Sequence, residues 1–111
     1  MTRLLITLAA FVPASPVTDV TRNKEPLQRA AASWYYDGGP TASGWHAYYG
    51  VANRYLRFGT RVLFRYRGRT VRAVVDDRGP YVYDRTWDLN QNTARALGMS
   101  GVVTVSYRIG G

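Results

Sequence analysis

Two aspartates flank a tight turn in the second half of the sequence. The β-branched run that ends at Val75 leads to Asp77, a turn formed by Gly79 and Pro80 follows, and the chain then reaches Asp88. A carboxyl group at the end of a strand can act as an acid or a base in a cleft. The same residue types also build ordinary solvated β-turns, so the spacing alone leaves both interpretations open.

Further blocks of sequence surround this turn in a fixed order. They are residues 32–36, 41–44, 50–62, 77–82 and 96–98, together with Arg85, Asp88 and Leu89. In this order they resemble the rare lipoprotein A (RlpA)-like family, which is related to expansins, and the resemblance covers roughly residues 31–109. It implies an all-β fold with a small helix: a single domain that forms a six-stranded double-psi β-barrel.

The resemblance also implies an activity. Proteins of this family act on peptidoglycan, and the expected reaction is cleavage of glycan strands as a lytic transglycosylase. Hydrolysis of a glycosidic bond generally needs two carboxylates, whereas lytic transglycosylation can use one as acid and then as base. By the family motif that residue is Asp77, with Asn53 and Asp88 orienting substrate or catalyst. The neighbouring Asp76 would point to the other side of an extended strand.

Two positions depart from the pattern of active relatives. Asn53 stands where a histidine is typical, and Trp45 stands where glutamate or glutamine is common. Asparagine forms hydrogen bonds but cannot exchange a proton. His46 is a candidate for the missing imidazole, although a lone loop histidine is often simply exposed. The alternative therefore stays open that the protein is a non-catalytic, expansin-like module that binds peptidoglycan or another carbohydrate.

Aromatic residues are frequent, with nine Tyr and three Trp. Their rings offer an apolar face and a polar tip, which suits the flat face of a sugar. Trp34 and Trp87 fall in strand-like segments and are expected in the core. The predicted substrate-binding residues lie in loop-like segments and are Trp45, Tyr48, Tyr49, Arg78 and Tyr81.

The composition excludes several kinds of site. The sequence has no cysteine, so neither a disulfide nor a thiol nucleophile is available. With a single histidine as well, a structural zinc site is not expected. We expect no metal and no cofactor.

The beginning of the sequence differs from the rest. Residues 1–17 combine an early arginine with an apolar run that is too short to span a bilayer, which predicts a secretory signal. Residues 18–30 are polar and predict a linker, so the domain is expected at residues 31–111. We therefore expect a secreted or cell-wall-associated protein, located in the periplasm if the host has an outer membrane. We expect no membrane span.

The formal net charge is +8, and the stretch from Arg54 to Arg72 contains many arginines and no acid. Such a stretch favours a polyanionic partner, or it simply solvates the outer face of a hairpin. Anionic wall polymers fit an exported protein, and nucleic acid is the less favoured partner. We expect a monomer that binds peptidoglycan glycan strands.

Local patterns predict the elements that must position these residues. Residues 61–66 and 70–75 are β-rich and are joined by a turn at residues 67–69, which predicts a hairpin. Asn90 is expected to cap a short helix that ends at Gly98. Apolar residues alternate with polar ones from Val103 to Ile109, which predicts a last strand with one buried face.

Overall fold

Six strands close into one barrel, with a single short helix beside them. The computed structural model describes residues 26–110. Its elements are β1 (Gln28–Tyr35), β2 (Gly50–Ala52), β3 (Arg61–Tyr66), β4 (Arg69–Asp77), β5 (Trp87–Asn90), α1 (Gln91–Leu97) and β6 (Val103–Ile109). The strands lie around the barrel in the order β1-β5-β2-β4-β3-β6. The predicted six-stranded all-β barrel is therefore confirmed.

The barrel begins slightly earlier than the predicted boundary at residue 31. Gln28 already pairs with Tyr107 in the antiparallel ladder between β1 and β6. The end of the polar stretch is thus ordered by strand pairing. The predicted signal at residues 1–17 and most of the predicted linker lie outside the described residues.

Two parallel pairs of strands distinguish this barrel from a simple meander. β1 pairs in parallel with β5, and β2 pairs in parallel with β4. The other neighbours, including β2 with β5, are antiparallel. The parallel pairs bring together segments that are far apart in sequence, and they bring the ends of four strands next to one another.

The predicted hairpin and helix cap are both present. Arg67 and Gly68 have φ values of 48° and 82°, and the strands pair directly outside them at Tyr66 and Arg69. A tight two-residue hairpin turn requires positive φ at both of its residues, because the backbone twist of such a turn matches the twist of the flanking strands. Asn90 caps α1 by accepting a hydrogen bond from the backbone of Thr93, and Gly98 ends the helix in the left-handed conformation.

The core lies inside the barrel and under α1. Trp87 is at its centre and packs edge-to-face on Phe64 and Tyr107, with ring centroids 5.1 and 5.0 Å away. The buried residues that form one contiguous hydrophobic cluster are Ala32, Val51, Val62, Phe64, Val71, Ala73, Val75, Trp87, Leu89, Ala94, Leu97, Met99 and Val105. Trp87 is thus confirmed as a core residue.

The prediction that Trp34 is a core residue was wrong, since its side chain is 45% exposed. It lies near the end of β1, where it contributes to a surface depression with Ala94, Arg95 and Met99.

The last strand follows its predicted period only in part. Val105 is buried, but Ile109 is half exposed because it is the final residue of its strand, at the rim of the barrel.

A β-bulge changes the direction of the two adjacent aspartates. Val51 pairs with Val75, but the next residue, Ala52, pairs with Asp77, so Asp76 is an extra residue in β4. A regular strand would direct Asp76 and Asp77 to opposite sides. The bulge interrupts that alternation, so strand periodicity alone does not fix the directions of the two side chains.

Asp76 is completely buried at this bulge. Its Oδ2 accepts a hydrogen bond of 2.8 Å from the backbone N–H of Ala47, while its Oδ1 has no hydrogen-bond partner among residues 26–110. A Cβ atom on Gly50 would lie 2.6 Å from Oδ2, so glycine is required there. Burial raises the pKa of Asp76, and the Ala47 hydrogen bond only partly opposes this effect.

We predict that Asp76→Asn stabilises the domain near neutral pH but not in acid. A raised pKa means that folding favours the protonated carboxyl, so the wild type loses stability as pH rises above the ordinary value of 3.8. The uncharged amide avoids this loss. The gain in the free energy of unfolding should be on the order of 1–3 kcal/mol at pH 7 and should vanish near pH 3.

Urea unfolding at both pH values measures this difference. Asp84→Asn is the matched control, because Asp84 is exposed and its φ of 63° is one that asparagine tolerates. A difference between Asp76→Asn and wild type that stays the same from pH 3 to pH 7 would contradict the prediction.

Candidate active site

Four aspartates lie near enough to Tyr35 for their charges to raise the pKa of its hydroxyl group. Tyr35 has its hydroxyl buried without a hydrogen-bond partner among residues 26–110. Its pKa is raised by burial and then, in decreasing order, by the carboxylates of Asp76, Asp77, Asp37 and Asp88. These acids come from the ends of β1 and β4 and from β5. Tyr35 therefore marks the centre of a concentrated acidic site.

Strand register explains why two of these acids lie on the same side. Ser33, Asp88, Ala52 and Asp77 are successive register partners across β1, β5, β2 and β4. Partners in neighbouring strands direct their side chains to the same face. Asp77 and Asp88 therefore flank Ala52.

Asp77 is fixed by the backbone. The N–H groups of Ala42 and Arg78 donate to its Oδ1 over 2.8 and 2.9 Å. Both donors suit an ionised carboxylate, which only accepts hydrogen bonds. The loop after β1 and the turn after β4 thus hold this carboxylate in one orientation.

Asp88 has a different environment. Its Oδ1 accepts a hydrogen bond of 3.0 Å from the Ser33 hydroxyl. Burial raises its pKa, the Ser33 hydrogen bond and the nearby Arg85 oppose the rise, and the charge of Asp77 adds to it. Asp88 therefore keeps its proton to a higher pH than an ordinary aspartate does.

Asp37 is held in its charged form. Burial opposes ionisation, but hydrogen bonds from Gln91, Asn90 and His46 outweigh it, and the pKa of Asp37 lies below its ordinary value. The Asn90 amide donates over 3.2 Å, and the imidazole Nδ1 of His46 lies 3.5 Å from Oδ2. The structure thus pairs the only histidine of the sequence with an acid of the site.

Asn53 is occupied by structural hydrogen bonds. Its Oδ1 accepts from the backbone N–H groups of Tyr55 and Leu56, both over 2.9 Å, and its Nδ2 donates to the carbonyl of Thr86. The side chain is almost fully buried. Asn53 therefore stabilises the turn after β2, and its amide is already engaged in these hydrogen bonds.

Arg78 and Tyr81 were both expected to bind substrate. The guanidinium of Arg78 stacks on Phe58, 3.9 Å from the ring centroid, and donates to the carbonyl of Asn53. Tyr81 is largely exposed. Arg54 anchors the loop that contains Tyr81 by donating hydrogen bonds to the backbone carbonyls of Pro80 and Arg85. Arg78 is thus a fixed cation beside Asp77, and Tyr81 is an open aromatic surface.

The other three predicted substrate-binding residues lie in the loop before β2. Trp45, Tyr48 and Tyr49 all have exposed rings. Tyr48 and Tyr49 pack edge-to-face with centroids 4.9 Å apart. The same loop donates its backbone N–H groups to Asp76 and Asp77. The exposed aromatics are therefore attached to the segment that positions the acids.

Sequence reasoning missed three residues of the site: Ser33, Tyr35 and Asp37. They occupy alternate positions along β1 and its end, so their side chains share one face. A polar residue at every second position of an otherwise apolar strand was the signal that could have identified them.

The described part of the chain also limits other kinds of site. Within residues 26–110 no three His, Asp or Glu side chains are arranged to hold a metal ion. No helix in that range is long and apolar enough to cross a membrane.

Comparison with known proteins identifies the family of this chain. The family model described as "Lytic transglycolase" matches residues 28–107. A protein of Aquifex aeolicus named "Probable endolytic peptidoglycan transglycosylase RlpA" is 42% identical over 92 residues, which cover 73% of this chain and 40% of that protein. A protein of the same name from Synechocystis is 35% identical over 101 residues, covering 82% of this chain and 32% of that protein.

A solved structure supports the fold. The Streptomyces papain inhibitor superposes with a TM-score of 0.59 at 24% identity, covering 74% of this chain and 94% of that one. The chain spans less than half the length of the two relatives compared above. The match to the family model nevertheless extends from the start of β1 into β6. The chain therefore belongs to the lytic transglycolase family of double-psi β-barrel domains.

Proposed function

We propose that this domain cleaves the glycan strands of peptidoglycan as a lytic transglycosylase, at the cell wall outside the cytoplasm. The observation that supports this most is the pair of carboxyls across Ala52. Asp77 is oriented by two backbone donors, and Asp88 is shifted toward its protonated form. Two nearby carboxyls in different environments are suited to act as a base and an acid.

The proposed reaction needs one proton donor and one acceptor. Asp88 protonates the glycosidic oxygen as its bond to C1 of the muramic residue breaks. The C6 hydroxyl of the same residue attacks C1, and its proton passes to the Asp77 carboxylate. Asp88 gives one proton and Asp77 takes one, so an anhydro ring forms without water. Proton exchange with the solvent then restores both carboxyl groups. Asp77 keeps the base role expected from the sequence, while the acid role passes to Asp88.

A binding module that does not cut is the second candidate, and two positions favour it. Asn53 cannot exchange protons and is engaged in hydrogen bonds to its own turn, and Trp45 presents an exposed ring where the family resemblance implies a polar side chain. In that case the same acidic and aromatic surface would bind glycan strands in the manner of an expansin.

We predict that Asp77→Asn and Asp88→Asn each abolish the release of anhydro-muramic products from purified sacculi. General acid or base assistance contributes roughly 10²–10⁴ in rate, so either loss should bring product below detection. Mass spectrometry of the soluble fraction measures the products, circular dichroism checks the fold, and Asp84→Asn is the control. Full activity of Asp88→Asn would return the acid role to Asp77. Wild type that binds sacculi but releases nothing would favour the binding module.

The arginine-rich hairpin is proposed to hold the domain on anionic wall polymers. Most arginines of the stretch 54–72 are exposed, whereas Arg54 is partly buried and engaged in the loop beside the site. The exposed ones are Arg57, Arg61, Arg65, Arg67, Arg69 and Arg72. Their density on β3, β4 and the segment before them creates a positive surface.

We predict that replacing Arg61 and Arg65 by Glu lowers retention on sacculi several-fold, and that added salt weakens retention of the wild type. Exposed charges act over only about 8 Å at physiological ionic strength, so an electrostatic attachment is sensitive to salt. Replacing the exposed Arg29 and Arg95 by Glu changes the net charge equally outside the hairpin and is the control. Equal losses in both variants would assign retention to overall charge and not to this surface.

A further inference from the structure

A pocket of about 390 Å³ lies beside the acidic site, between the loop before β2 and the start of α1. Its walls are formed by Asp37, His46, Ala47, Tyr48 and Asn92. The volume falls within the range of small-ligand sites. Neither the Asp77 nor the Asp88 side chain forms its walls, so the pocket is separate from the proposed acid and base.

Asp37 and His46 form the polar side of this pocket. The Asp37 side chain is 11% exposed and the His46 side chain 45%. Two hydrogen bonds fix Asp37 in place. The Asn90 amide donates to the Asp37 carboxylate, and the backbone N–H of Asp37 donates to the side chain of Gln91. The pair thus offers a charged acceptor and an accessible imidazole in fixed positions, which suits the hydroxyl and amide groups of a ligand.

Tyr48 forms the apolar side. Its side chain is 69% exposed, while its carbonyl accepts hydrogen bonds of 3.1 and 3.0 Å from Asn90 and Asn92. The ring also packs edge-to-face on Tyr49. An exposed ring on a firmly anchored backbone is a ready surface for a flat apolar ligand face.

One short loop connects this pocket with the catalytic carboxyls. Ala47, in the pocket wall, donates its N–H to Asp76, and Ala42, five residues earlier, donates to Asp77. A ligand that binds in the pocket therefore lies against the same segment that orients the proposed base.

We propose that this pocket binds one pyranose unit of the glycan strand next to the cleaved bond. The Tyr48 ring covers the apolar face of the sugar, and the Asp37–His46 pair binds its hydroxyl and acetamido groups. The identity of the ligand rests on the proposed function. The site itself rests on the juxtaposition of the aromatic ring, the carboxylate and the imidazole.

The single histidine makes the test direct, because the protein has one imidazole signal in its NMR spectrum. Titration with chitotetraose, a soluble chain of N-acetylamino sugars, should shift this signal in a saturable way. Tyr48→Ala should weaken the apparent affinity by roughly three- to tenfold, the loss of one aromatic contact. Asp37→Asn should weaken it as well. Tyr83→Ala, which removes a more exposed ring outside the pocket, is the control and should bind like the wild type.

The outcomes separate this site from the proposed activity. An imidazole signal that does not move, in a protein that still releases anhydro products, would overturn the subsite and leave the activity standing. Equal weakening by Tyr48→Ala and Tyr83→Ala would also overturn it. A saturable shift without any cleavage would support the subsite and overturn the lytic function.

Discussion

Mutual repulsion of acidic side chains is the constraint on which the rest of this structure depends. Carboxylates crowded around one tyrosine destabilise each other unless each is neutralised or given donors. The fold provides a separate hydrogen-bond donor for each acid. Backbone N–H groups serve two of them, that of Ala47 for Asp76 and that of Ala42 for Asp77. Side chains serve the other two: the Ser33 hydroxyl donates to Asp88 and the Asn90 amide donates to Asp37. The bulge in β4 and the glycine at position 50 provide the space. The loop before β2 is therefore part of the acidic site and not a passive connection.

Burial and hydrogen bonds together give the acids different protonation behaviour. Hydrogen bonds keep Asp37 ionised, whereas burial shifts Asp76 and Asp88 toward their neutral forms. When the pKa values of neighbouring carboxyls differ, one group can donate a proton and another can accept one at the same pH. Carboxyls with equal pKa values do not divide the roles in this way. The proposed division of roles rests on the raised pKa of Asp88 and on the two backbone donors that orient Asp77. It also explains how a domain with asparagine at position 53 could act without an imidazole there.

Local sequence patterns predicted the local structure well. The hairpin at Gly68 and the helix capped by Asn90 depend on a few adjacent residues, and the barrel followed from the resemblance to a family. The errors concern positions that are decided by distant partners. Trp34 looked like core, but its strand ends at the barrel mouth. The bulge at Asp76 arises from pairing with β2, twenty or more residues earlier in the chain, so an alternation rule could not predict it. Asn53 stays a predicted site residue, and its side chain is engaged in hydrogen bonds to its own turn.

The central claim is that the bond is broken by ring closure and not by water. Digestion of purified sacculi in water labelled with heavy oxygen, followed by mass spectrometry of the soluble fragments, tests it most directly. Attack by the C6 hydroxyl leaves an anhydro end that contains no oxygen from the solvent, so we predict new fragment ends without label. Labelled reducing ends would show that water attacks the sugar, and would contradict the proposed mechanism.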